Sequence, residues 1–480
     1  MPEISSPLPM SHSTFDKASS NSAKTLYFRL FHGHFDDARR DQSTAFLSSQ
    51  LQEAATLPTD LPDDQGALLD WMNAGVESVG VRYDEYLKAR EAGGARQYFR
   101  NRSHAMHFIR SAAPTKMVDG AWLFGLLRHW RDARFGSLIQ TYLEELGEGL
   151  PSKNHVVLYK KLLASQGCER WDDLSDAHYI QGAIQLSLAY NAERFLPEII
   201  GFNLGYEQLP LHLLISAYEL KELGIDPYYF TLHITVDNAD SGHAKKAVDA
   251  VADAMPRVGD AEGWYRRVRN GYNLNSLGAS TNSLIESFDL DEEMRTIFSR
   301  KGVIGQYAHS NYRQIAGRSI NEWLSQPDRV LDLIAGMENS GWFLRHQDPQ
   351  NSRFWKLIEG EKARMFGVFS AYEQQVIYDW IAGDATDRTF WKRRDAIENR
   401  RILLSETRHN LAREWDESER KNEAHDDDFD AELHALEKRL ASGEKLDETV
   451  SMLIATMSPA RHHSAAGLHA TRLFNELLGA

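Results

Sequence analysis

From residue 24 onward, apolar positions recur at helical spacing in runs rich in Leu, Ala, Glu, Lys, Arg and Gln, and no convincing two-residue alternation interrupts them. The pattern predicts an all-α chain, with one bundle core and further helices added to it. Tyr228–Thr235 is β-prone in composition, yet it reads as helix because apolar periodicity continues through Ala244, Val248 and Val251. Gly147–Pro151, Gly224–Pro227 and Asn270–Leu277 carry the punctuation of helix–helix connections. No repeat of the solenoid kind stands out. Residues 1–23 hold seven serines and three prolines with little to bury, and read as a disordered tail. Trp391–Leu440, which includes His425-Asp-Asp-Asp428, is dense in charges of both signs. It reads as solvated helices of a peripheral or subunit-contacting layer.

Composition narrows the function classes. The chain has 480 residues, with 54 basic and 69 acidic side chains giving a net charge of −15, the wrong sign for a general nucleic-acid binder. Cys168 is the only cysteine, which excludes an intrachain disulfide and a Cys-rich zinc site. There is no basic start followed by an apolar run, and no long stretch of uninterrupted apolar residues. These features predict a reduced, cytoplasmic protein without a membrane span.

The chemistry sits in acids and imidazoles at positions where the helical pattern expects core. In Lys116–Trp130, Asp119 shares a face with Trp122, Leu123, Leu126 and Leu127. Glu145 follows Phe135, Leu138 and Tyr142 on an inward face, whereas Glu144 falls with Ser137, Gln140 and Thr141. His155 opens the next helix beside Leu158, Tyr159 and Leu162, and Glu207 interrupts the stripe of Ile200, Leu204 and Leu211. His233 and Asp237 lie one turn apart, with Asp240 and His243 further along. Buried carboxylates are costly without a compensating positive charge, and a divalent metal supplies one. Carboxylate with imidazole suits iron or manganese, and ligands on facing helices suit a dinuclear bundle site. The ferritin-like alternative needs two Glu-x-x-His motifs; Glu406-Thr-Arg-His409 stands alone and reads as a solvated helix face. His462-His463 reads as a surface pair.

Three stretches resemble the haem-oxygenase-like diiron oxidases and oxygenases: Tyr142-Leu-Glu-Glu-Leu-Gly-Glu-Gly149 with His155, Gly205-Tyr-Glu-Gln-Leu-Pro210, and His233-Ile-Thr-Val-Asp237 running on to His243. The resemblance spans roughly residues 110–265. It implies a haem-oxygenase-like helical bundle holding two Fe(2+) per chain. The ligands it implies are Asp119, Glu145, His155, Glu207, His233, Asp237 and His243. Asp119 stands where the family usually has Glu. The family's final histidine commonly lies three residues after the aspartate, where this chain has Asp240. On an ideal helix His243 points about 80° away from His233 and needs a bend to ligate. Glu148 competes with Glu145, and Glu198 with Glu207, although Arg194 offers Glu198 a simple ion pair.

On this reading the chain divides into the tail, an N-terminal helical region at 24–109, a diiron core at 110–265, a helical extension at 266–385 and a charged helical region at 386–480. The resemblance implies O2-dependent oxidation of a small molecule: N-oxygenation, desaturation or C–C cleavage of an amino-acid-like or fatty-acid-like substrate. A homodimer is the expected assembly. The competing reading is a metal-free helical interaction protein. A haem enzyme ranks below both, because an axial histidine gains nothing from several nearby carboxylates.

Overall fold

A computed structural model describes residues 22–32, 36–236, 242–305, 312, 314–383, 430–442 and 445–479. Among them the fold is helical, as expected. The strands amount to one short antiparallel pair, Gln314–Ile315 with Arg318–Ser319. The first described helices are α1 (Ala23–His32), α2 (Asp37–Ala54) and α3 (Leu68–Glu91). It then enters the part that holds the polar cluster: α4 (Arg102–Lys116), α5 (Gly136–Glu145), α6 (His155–Gln166), α7 (Ile180–Tyr190), α8 (Leu196–Tyr206), α9 (Leu211–Glu222), α10 (Tyr228–Val236), α11 (His243–Ala254) and α12 (Ala261–Asn273). Later helices include Leu290–Gly305, Val330–Asn339 and Ala371–Ala382, and then Ala431–Ala441, Leu446–Thr456 and Ala465–Gly479.

Local chemistry sets the ends of these helices. Asn101 and Asn154 cap α4 and α6, their side chains accepting from His104 N and Val157 N, which satisfies a free donor of each first turn. From Ser103 to Pro114 every residue of α4 is buried, so this helix is a central rod rather than a surface one. Two of its polar side chains find backbone partners: His104 Nε2 lies 2.8 Å from the Ile285 carbonyl, and Arg110 Nε donates to the Arg170 carbonyl at 2.6 Å. Helix α8 crosses α12 at very short range. A Cβ on Gly201 would lie 1.8 Å from the Val268 carbonyl oxygen, so only glycine permits the approach.

Two elements differ from the pattern reading. The stretch Lys116–Trp130 is not one helix. Helix α4 ends at Lys116, Met117–Gly120 form a turn, and a 3₁₀ helix spans Ala121–His129. Gly120 has φ 77°, a left-handed conformation that ends the α-helical path. Trp122, Leu123, Leu126 and Leu127 are all buried in the tighter helix, which is why their spacing imitates an α-helix continuous with Asp119. The second difference lies beyond Tyr228. That segment is helical as expected, but α10 ends at Val236 and the later periodicity belongs to α11, which starts at His243.

Two large apolar clusters form the interior. One gathers residues of the 121–129 helix, α5, α8, α11 and α12; the other gathers residues of α4, α6, α9 and α10 with 284–381. Leu433, Leu436, Val450, Leu453, Ala466, Ala470 and Phe474 belong to the first. The end of the chain therefore packs into the core rather than forming only a solvated layer. Most of the charged stretch, including Glu406–His409 and His425–Asp428, lies outside the described residues. No described helix is long and apolar enough to cross a membrane.

Candidate metal centre

The polar cluster forms where the two apolar clusters meet. Glu145, Glu207 and His243 sit at the ends of elements from the first, His155 and His233 on helices of the second, and Asp119 in the turn after α4. Asp119 is 2% exposed. Tyr206 and Tyr229 each donate a phenolic hydrogen to it, to Oδ1 at 2.7 Å and to Oδ2 at 2.6 Å. His233 Nε2 lies 3.3 Å from Oδ2, and Lys116 Nζ lies 3.6 Å from Oδ1. The neighbouring Gly120 sets the depth of this turn, since a Cβ there would come within 2.9 Å of Glu145 Cβ.

Glu145 ends α5 and His155 begins α6, so the loop between them turns both side chains to the same point. His155 Nδ1 approaches Glu145 Oε2 to 2.6 Å, yet the two are not aligned as a hydrogen bond and neither atom has another hydrogen-bond partner. Buried polar atoms are almost always satisfied, so this pair is an exception that needs a cause. A cation held between a carboxylate oxygen and an imidazole nitrogen is a sufficient one. On the other side of Glu145, His243 Nδ1 lies 3.4 Å from Oε1 and 3.0 Å from Glu207 Oε2.

These contacts define two overlapping sets. Asp119, Glu145, His155 and His233 each offer a ligand atom, all within 4.8 Å of one another; Glu145, Glu207 and His243 do the same. Glu145 belongs to both. His233 Nδ1 is 2.8 Å from the Tyr229 carbonyl, an acceptor only, so Nδ1 carries a hydrogen and Nε2 is the nitrogen turned toward the cluster.

The electrostatics suit cations. Burial pushes the Asp119 carboxyl up, but Lys116, then His233 and His155, outweigh it and hold Asp119 well below the usual carboxylate range. Burial likewise opposes ionisation of Glu145, and His155, then His243, reverse the effect. His155 is shifted upward: burial lowers it, and the charges of Glu145 and Asp119 more than compensate. Both anions stay charged in a dry interior. The mix of oxygen and nitrogen donors fits iron or manganese better than a soft-metal site.

Of the seven residues singled out in the sequence, Asp119, Glu145, His155, Glu207, His233 and His243 converge here. Asp237, like Asp240, lies outside the described residues. His243 reaches the cluster from the first position of α11 after Gly242, so the angular mismatch expected of one continuous helix does not apply. Glu148 has φ 54° in the 147–149 turn and is not among the clustered groups. Glu198 pairs with Arg267 rather than Arg194, at 2.6 Å to each carboxylate oxygen.

Two expectations about neighbouring residues fail. Glu144 does not simply face outward, for it lies 2.9 Å from His243 Nε2 and accepts from Lys246 at 2.6 Å. His462 is not a surface residue. It is buried, and its Nδ1 lies 3.2 Å from Asn154 Nδ2. Lys116 was also missed, although its position three residues before Asp119 was a usable signal. Nothing in the sequence pointed to His462, some three hundred residues from its contact.

Comparison with known proteins agrees with this geometry. Residues 106–274 match the family model described as iron-containing redox enzyme. No curated protein and no solved structure gives a match.

Proposed function

We propose that the chain is an oxidoreductase, and specifically a non-haem diiron oxidase or oxygenase; the match of residues 106–274 to the family model described as iron-containing redox enzyme supports this reading. The observation that carries the proposal is the position of Glu145 in both ligand sets. A single acid shared by two groups of buried donors is the arrangement a dinuclear centre needs, and a mononuclear centre has no use for it.

Asp119, Glu145, His155 and His233 would hold one iron; Glu145, Glu207 and His243 would hold the other, with Asp237 as a further ligand. Iron so bound supplies the electrons and Lewis acidity for O2-dependent oxidation of a small organic substrate, amino-acid-like or fatty-acid-like in class. The chain supplies orientation. Tyr206 and Tyr229 hold both oxygens of Asp119, and burial, then Asp119 itself, pushes each phenol well above its ordinary value, so both remain donors. The Tyr229 carbonyl fixes the His233 ring. Tyr159, Val156 and Leu146 are fully buried and help keep bulk water away.

Oxygen uptake tests the proposal. Protein loaded anaerobically with Fe(2+) and then mixed with oxygenated buffer is expected to consume O2 and develop a transient visible absorption. Neither signal is expected from His155→Ala. Loaded wild-type protein that leaves O2 untouched would overturn the oxidase reading.

A further inference from the structure

His243 is gripped from both sides. Its Nδ1 faces Glu207 at 3.0 Å and Glu145 at 3.4 Å, and its Nε2 faces Glu144 at 2.9 Å. These carboxylates are not equivalent. Glu145 and Glu207 are buried within the metal-ligand geometry, whereas Glu144 is half-buried and already neutralised: Lys246 Nζ lies 2.6 Å from each of its oxygens, and Gln140 Nε2 donates to Oε1 at 3.0 Å. An acid balanced by a lysine is a good hydrogen-bond acceptor and a poor further ligand. The same contacts join the last turn of α5 to the first turn of α11, where Glu145 and His243 leave those helices.

We propose that Glu144, held in place by Lys246, is the positioning residue for His243, accepting its Nε2–H so that Nδ1 is the nitrogen that binds metal. The inference rests on the diiron reading above and adds to it an asymmetry. The Asp119–His155–His233 set has its own supports, so loss of Glu144 affects only the set containing His243. Metal-bound histidines depend on such acceptors for ring orientation and basicity, and losing one typically weakens metal binding about 10–100-fold.

Co(2+) titration of the full chain, followed by its visible absorption, tests this without catalysis. Wild-type protein is expected to bind two equivalents. In Glu144→Leu the first equivalent should be unchanged in affinity and spectrum, with the second weakened about 10–100-fold. Glu144→Gln keeps an acceptor oxygen and should recover most of that loss. Lys246→Met leaves every ligand and Glu144 in place, and should weaken the second equivalent by a smaller factor. Unchanged binding of the second equivalent in either Glu144→Leu or Lys246→Met would overturn the proposal, as would a Glu144→Gln protein as impaired as Glu144→Leu. A wild-type protein that binds fewer than two equivalents would instead remove the diiron premise, and the proposal with it.

Discussion

His462 reaches Asn154 across the interior, Nδ1 to Nδ2 at 3.2 Å. The same Asn154 amide group donates to the Leu146 carbonyl at 3.1 Å, while its oxygen caps α6 at Val157 N. Leu146 follows Glu145 and Asn154 precedes His155. One asparagine therefore ties together the chain on either side of the closest pair in the cluster, and a histidine from outside the family-matched segment steadies it. Burial, then His463, pushes His462 well below the ordinary imidazole value, so it serves as a neutral partner.

His462→Ala leaves the Asn154 amide short of a partner and is expected to cost about 1–3 kcal/mol of stability. Asn154→Ala removes the cap as well and is expected to cost more. Chemical denaturation of the two variants beside wild type checks both the losses and their order.

Gly120→Ala is expected to impair metal binding without altering any ligand. Its φ of 77° disfavours a side chain, and the added Cβ would meet Glu145 Cβ at 2.9 Å. The backbone cost alone is about 1–2 kcal/mol. The displacement of Glu145 should show as weaker uptake at both sites. Parallel melting curves and metal titrations separate the two effects.

Away from the cluster, Glu293 accepts from Tyr372 at 2.8 Å and lies 3.4 Å from His107 Nδ1. Burial opposes its ionisation, but His107, Tyr372 and Arg110 hold it below the ordinary glutamate value. A carboxylate depressed in this way stabilises the fold fully above its unfolded value, and the contribution is lost as pH falls through the folded value. The stability difference between wild type and Glu293→Gln is therefore expected to be steady near neutrality and to shrink as the solution becomes acid. Melting temperatures of both proteins across that range test the sign.

Much of this was legible in the sequence because burial leaves a periodic trace. The apolar spacing around Glu145, His155 and Glu207 marked those polar residues as inward-facing, and all three are buried. Asp119 was found for a partly mistaken reason: its apolar neighbours continue through a 3₁₀ helix, and the acid itself sits in the turn before it. His243 looks misaligned in the sequence because the apolar periodicity of α10 runs on into α11. Glu144 and His462 were misread because their roles depend on contacts with α11 and α6, which no local spacing encodes.

Anaerobic Fe(2+) titration with Mössbauer detection decides whether Glu145 serves two metal ions at once. Two bound irons are expected in wild-type protein and fewer than one in Glu145→Ala at the same free iron. A single iron in the wild type, or two irons retained by Glu145→Ala, would show that Glu145 is not shared between two ions.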